Sequence, residues 1–181
     1  MTEAAIVKLL IIAGLIIGAI VGLIAAAFVI GLFLPRQHAA SRTIRLSASP
    51  ETVWTIINDR AAYPSWRRSV SRVDRRDDRN GHEVWAEINR RGEAMPLEGV
   101  ESSPPRRLVT RIADDALPFG GTWTWELSPI ADGGTELRIT EDGFIKPPPF
   151  RTVMRLLGYD ATIRQFERDL MKRLGAVGPH R

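Results

Sequence analysis

The sequence predicts an α+β architecture: a curved antiparallel sheet of about seven strands wrapped around a long C-terminal helix, preceded by one transmembrane helix. Three observations carry this prediction. The first 34 of 181 residues hold 27 hydrophobic residues and only two charged side chains, Glu3 and Lys8. After Arg67 the chain alternates apolar and polar residues in short runs separated by turn signals. From Phe150 to Leu174 the apolar period changes to steps of three and four. The same composition excludes other classes. A single segment is apolar enough to span, so the chain is no multi-spanning transporter. It has no cysteine, which removes disulfides and thiolate metal sites. Five tryptophans and the patterning after Leu34 argue for a packed core rather than disorder.

Residues 1–35 read as the anchor. Leu9 to Leu34 are 26 residues without a charge, and about 20 suffice to cross a bilayer. A cleaved signal peptide would have an apolar core of about 7–15 residues and a small-x-small cleavage site. This run is longer, and Pro35-Arg36 follows it at once, so a retained anchor is expected. Arg36, Arg42 and Arg45 outweigh Lys8 on the other flank, which predicts a single-pass protein of the cell membrane with its soluble domain in the cytoplasm. Gly14, Gly18 and Gly22 recur every fourth residue and offer a face for homodimer pairing, against the plain alternative that glycine is common in membrane helices.

Residues 36–41 read as a juxtamembrane linker, residues 42–175 as the domain and 176–181 as a tail. Arg42–Ala48 alternates and is a strand. Ser49-Pro50-Glu51 begins a helix, with a serine N-cap, proline at the first helical position and an acid in the first turn. Its stripe is Val53, Trp54, Ile56 and Ile57, and it ends near Asp59. Tyr63-Pro64-Ser65-Trp66 is a second helical turn. Six strands follow: 69–79, 82–91, 93–102, 106–113, 121–130 and 135–145. They are broken by Asn80-Gly81, Gly92, Pro104-Pro105, Asp114-Asp115 and Ala131-Asp132-Gly133-Gly134. The final helix has Val153, Leu156, Tyr159, Ile163, Phe166 and Leu170 on its apolar face. Arg151, Arg155, Arg164, Arg168 and Lys172 lie on the opposite face. Only this helix is long enough to cover the sheet, and a curved sheet around one helix encloses a space between them.

This order and several local strings resemble the START-like superfamily, also called SRPBCC, with its helix-grip fold and its polyketide cyclase relatives. The strings are Ala48-Ser49-Pro50-Glu51-Thr52-Val53-Trp54, Tyr63-Pro64-Ser65-Trp66, Pro104-Pro105-Arg106-Arg107-Leu108, Gly120-Gly121-Thr122-Trp123-Thr124-Trp125 and Gly133-Gly134-Thr135-Glu136-Leu137. The resemblance covers about residues 42–174. It implies a domain that binds lipids, sterols, polyketides or hormones, with only some members enzymes. The membrane anchor lies outside the family's basic pattern.

Trp123 and Trp125 share one sheet face with Leu127. They either line an apolar cavity or form ordinary core. Trp85, Met95, Phe119 and Phe144 are further candidate wall residues, and Tyr159 and Ile163 would close the space from the helix. Glu141 shares the parity of Leu137, Ile139 and Ile145. It either serves a ligand or acid/base chemistry, or is neutralised by an arginine, or is exposed because a bulge near Gly143 flips the face. His38, His82 and His180 fall in the linker, a hairpin and the tail, and all three are expected to be solvated. No metal-ligand spacing, nucleotide-binding glycine motif, P-loop or histidine-centred triad is present, so no metal or cofactor is expected. Arginine outnumbers lysine by 22 to 3, but acids are interleaved with it and the net charge is only +4, so nucleic acid is not an expected partner.

Three functions compete. The first is a membrane-anchored domain that binds a hydrophobic ligand such as a lipid, isoprenoid or polyketide-like molecule. The second is a cyclase or dehydratase using Glu141 and Tyr159 as acid/base groups, against which no histidine is expected in the cavity. The third is a membrane-tethered scaffold whose interior is filled by its own side chains. The first, a binding domain rather than an enzyme, leads, because the anchor holds the domain near the phase into which apolar ligands partition.

Overall fold

The computed structural model describes residues 3–176. It divides into two compact units, one of residues 37–144 with the chain from Tyr159 onward, the other of the chain up to Arg36 with residues 145–158. The elements in chain order are α1 (Glu3–Phe33), β1 (Gln37–Leu46), α2 (Pro50–Asn58), α3 (Tyr63–Trp66), β2 (Arg72–Arg79), β3 (His82–Ile88), β4 (Ala94–Ser103), β5 (Arg107–Ile112), β6 (Phe119–Pro129), β7 (Thr135–Ile145), α4 (Pro148–Leu157) and α5 (Ala161–Ala176).

The larger unit is built on one seven-stranded sheet in the order β1-β7-β6-β5-β4-β3-β2. The period-2 patterning decides which face is buried. Leu137 and Ile139 of β7 have no exposed surface, and Leu46, Leu108, Trp125 and Leu127 join them. From the helices come Val53 and Ile57 of α2 and Ile163, Phe166 and Leu170 of α5. Each large apolar side chain fully buried here stabilises the fold by about 1.5–3 kcal/mol. Helix α2 starts as its sequence dictates: the Ser49 side chain accepts from the Thr52 amide at 3.4 Å, with Pro50 in the first turn. A 3-10 turn over Arg60–Ala62 links α2 to α3. There Tyr63 is buried and its hydroxyl donates to the Ile57 carbonyl at 2.5 Å. Burial pushes the Tyr63 phenol up to about 12.

Arginines of the α2–β2 region are paired with acids, most of them from other parts of the chain. Arg60 meets Glu83 at 2.6 Å, Arg67 meets Glu87 at 2.6 Å, Arg68 meets Asp169 at 2.9 Å, and Arg75 meets Asp78. Glu98 of β4 is fully buried between Arg111 of β5 and His82 of β3, each at 2.7 Å. The Arg111 guanidinium first, and His82 second, hold its carboxyl below the usual range.

Strand β1 begins at Gln37, not at Arg42 as the sequence suggested, so most of the expected linker is sheet. Residues 37–41 pair in register with Phe144 back to Thr140, and the Ser41 and Thr140 hydroxyls meet at 3.0 Å across the strands. The edge of β7 satisfies this backbone, while residues 37–41, with two alanines and no large apolar side chain, offer no apolar alternation to read.

The smaller unit contains α1, 31 residues with an almost wholly exposed apolar surface, long and apolar enough to cross a membrane. A Cβ built at Gly14, Gly18 or Gly22 would meet nothing within 4 Å. The unit also contains α4, and here the sequence reading needs correction. The single helix expected over 150–174 is two helices. Gly158 ends α4 at φ 86° and ψ 134°, outside helical geometry and in a region that favours glycine. This resets the rotational phase, so the stripe of α5 does not continue into α4. Ile163, Phe166 and Leu170 are buried as expected. Val153 and Leu156, placed on the same face by the sequence, are instead 45 % and 82 % exposed, and Arg151, expected in solvent, is buried. Ala176, expected in the tail, belongs to α5. Residues 177–181, including His180, lie outside the described residues.

Two expected outcomes follow from the core. Phe166→Asp places a carboxylate among Trp66, Trp123 and Trp125 and should cost about 3 kcal/mol or more, read as a fall of roughly 10 °C in the Tm of the detergent-solubilised chain; an unchanged Tm contradicts the packing. Glu98 has a lowered folded pKa, so its contribution is present above its unfolded pKa and is lost as pH falls through the folded value. Urea unfolding between pH 7 and pH 3 should therefore show a shallower acid loss for Glu98→Gln than for wild type, and parallel curves would contradict the pairing.

Candidate functional site

Four side chains of β1, β7 and α5 with its approach converge at one place in the larger unit. The ten-residue register of β1 with β7 sets Ala40 opposite Glu141 and His38 opposite Gly143. Neighbouring positions in such a pair carry their side chains to one face, so His38 and Glu141 meet. His38 Nε2 lies 3.4 Å from Glu141 Oε1. A Cβ at Gly143 would stand 2.9 Å from the imidazole Cε1, so the missing side chain there gives the ring its place. The ring stacks on Tyr159 with centroids 4.7 Å apart and planes 16° from parallel. Thr162 of α5 donates to the second carboxylate oxygen of Glu141 at 2.8 Å. Only 6 % of the His38 side chain and 18 % of that of Glu141 is exposed.

The Nδ1 atom of His38 is buried and has no hydrogen-bond partner, and Trp125 Nε1 and Glu167 Oε1 are in the same condition. Buried polar atoms are ordinarily paired. An open cleft of about 530 Å³ lies at this end of the sheet, and its side chains from Gln37, Ala39, Asp142 and Phe144 share the face opposite that of His38 and Glu141. One turn along α5, Arg42 reaches from β1 to Glu167 at 2.8 Å and to Asp160 at 3.1 Å. The guanidinium of Arg164, with Arg42 beside it, holds Asp160 below the usual carboxylate range. These ion pairs fix α5 and the Tyr159 turn against β1.

The structure brings some of the expected residues together and separates others. Glu141, Tyr159 and Ile163 lie along the same β7–α5 region, and Glu141 pairs with a histidine and a threonine rather than an arginine. Trp123 and Trp125 pack on each other at 5.4 Å and on Phe166 at 6.0 and 6.1 Å, filling space between sheet and helix. Trp85 is buried on β3 beneath the Arg60 guanidinium, 3.6 Å from its ring centroid. Met95 of β4 lies opposite Glu87. Both are several strands from Glu141 in the sheet order. Phe119 is 41 % exposed. Phe144 lies at the cleft, where Gly120 makes room for its ring.

The expectation of three solvated histidines is corrected for His38, which sits buried in β1 beside Glu141, so the objection that no histidine stands at the site falls. His38, Ala40, Arg42 and Ile44 alternate in one series, which β1 extends through the segment expected as linker. His82 is partly exposed and bound to Glu98.

With this geometry in place, the comparisons are specific as to fold. The solved START superfamily protein from Mycobacterium smegmatis is 18 % identical, with a TM-score of 0.61 over 77 % of this chain and 99 % of that one. The Zhui aromatase/cyclase from Streptomyces sp. R1128 is 14 % identical, with a TM-score of 0.62 over 76 % and 93 %. A truncated norcoclaurine synthase from Thalictrum flavum is 11 % identical, with a TM-score of 0.60 over 80 % and 96 %. No curated protein sequence matches. The profile described as polyketide cyclase/dehydrase and lipid transport matches residues 37–177, beginning with β1 and including the whole candidate site, and the chain belongs to that START-like, SRPBCC family.

Proposed function

We propose that the protein is a membrane-anchored binding domain for a hydrophobic molecule with one polar end, and that the polar end is held at His38. The observation that carries this is the unpartnered Nδ1 of His38, a histidine with 6 % of its side chain exposed, held beside Glu141 on the inner face of the sheet. An imidazole has a donor and an acceptor nitrogen when neutral. The Glu141 carboxylate accepts from Nε2, which leaves Nδ1 as an acceptor for a ligand hydroxyl. The ligand class follows the family, lipid or polyketide-like. The anchor reading rests on α1, a helix long and apolar enough to cross a membrane. The flanking arginines favour the cytoplasmic side.

A second reading is favoured by one observation, the His38–Glu141 contact. A histidine oriented by a carboxylate is a candidate general base, and Tyr159 against its ring is a candidate acid. A cyclase or dehydratase acting on a polyketide-like substrate would use them in those roles.

All five tryptophans lie between Trp54 and Trp125, none in α1. Energy transfer from them to a dansyl-labelled fatty acid, with the chain in nanodiscs and empty nanodiscs subtracted, should be saturable. His38→Phe should weaken binding about tenfold, the value of one lost hydrogen bond. Absence of saturable transfer in the wild type contradicts the binding reading and leaves a side-chain-filled scaffold. With a polyketide-like substrate, the enzyme reading requires Glu141→Gln to retain binding and lose turnover; no turnover in the wild type contradicts it.

A further inference from the structure

The smaller unit holds an arrangement that the binding reading does not use. Helix α4 packs on the last turns of α1. Arg151 is buried, and its guanidinium donates to four carbonyls: Gly31 at 2.9 Å, Leu34 at 3.2 Å, Ile145 at 3.1 Å and Lys146 at 2.6 Å. Thr152 Oγ1 donates to the Ala27 carbonyl at 2.7 Å. A Cβ at Gly31 would collide with the Pro148 backbone, so the close approach requires glycine there. The last carbonyls of a helix have no partner within it, and hydrocarbon offers none. Arg151 supplies both the donors and a cation at the negative end of the helix dipole.

With its polar side turned onto α1, α4 presents the opposite side outward. Phe150, Val153 and Leu156 are spaced three apart and are 59, 45 and 82 % exposed. Their surface is continuous with the exposed apolar surface of α1, where Leu32 is 56 % and Phe33 86 % exposed. Arg155 lies beside this stripe and is exposed. At 1.5 Å per residue α1 is about 46 Å long against a hydrocarbon core of about 30 Å, so its C-terminal turns, where α4 packs, belong at the depth of the membrane interface. An amphipathic helix with bulky apolar residues on one side and arginine at its flank suits that depth.

We propose that α4 is a second membrane-contacting element, seated in the bilayer interface beside the end of the anchor with Phe150, Val153 and Leu156 among the acyl chains. The inference rests on the reading of α1 as a bilayer span. It commits to lipid as the occupant of this face, because the face continues a surface that has no other apolar phase to enter.

The chain has no cysteine, so single-cysteine spin labels in the full chain report depth without a background. Leu156→Cys and Phe150→Cys, reconstituted in phosphatidylcholine/phosphatidylglycerol vesicles, should collide frequently with oxygen and rarely with a water-soluble nickel chelate. Their oxygen-to-nickel ratio should be severalfold above that of Asp132→Cys in the exposed β6–β7 turn, and Leu15→Cys in α1 should share it. A water-like ratio at 150 and 156 with a lipid-like ratio at 15 overturns the inference and leaves the anchor standing. A water-like ratio at all of them overturns both. Protection from both reagents at 156 marks a protein partner in place of lipid and overturns the inference.

Discussion

The pairing of β1 with β7 is the constraint on which the rest depends. Ten residues of β1 are matched to the last strand in sequence, so the beginning of the domain is held against its end. That register carries His38 to Glu141 and sets Gly143 where the imidazole needs room. It also places Arg42 where it can reach Glu167 and Asp160 of the helical arm. Shifted by one residue, β1 would turn His38, Arg42 and Ile44 to the other face together, and both the core and the site would be lost at once.

A second constraint is Gly158. Its positive φ divides what the periodicity presents as one helix into two with different tasks. Helix α5 keeps the apolar stripe and completes the core through Ile163, Phe166 and Leu170. Helix α4 turns its arginine inward to the carbonyls of α1 and its apolar residues outward. A single residue with access to left-handed geometry thus allows adjacent segments of similar composition to meet different surroundings.

Much of this was legible in the sequence. The seven strands, the serine-capped α2, the break at residues 131–134 and the inward parity of Glu141 all follow from local rules that tertiary context did not override. Two features escaped for physical reasons. Residues 37–41 carry no large apolar side chain on either face, so the strand there is specified by its partner's edge and not by its own pattern, and His38 is hidden with it. The phase of α4 was misread because a helical stripe states only that one side is apolar; whether that side meets core or another apolar phase depends on what packs against it. Arg151 within the stripe's polar side gave no warning, since burial of an arginine becomes favourable only where several carbonyls converge on it.

The central claim is that the site around His38 and Glu141 holds the polar end of an apolar molecule. Native mass spectrometry of the full chain released from nanodiscs, followed by extraction and identification of what it carries, tests it most directly. The account predicts one bound species per chain, amphiphilic and enriched over the surrounding lipid, whose occupancy falls when His38 is replaced by phenylalanine. A wild-type chain that emerges with no bound species, or with the bulk lipid mixture at levels indifferent to that replacement, would contradict it.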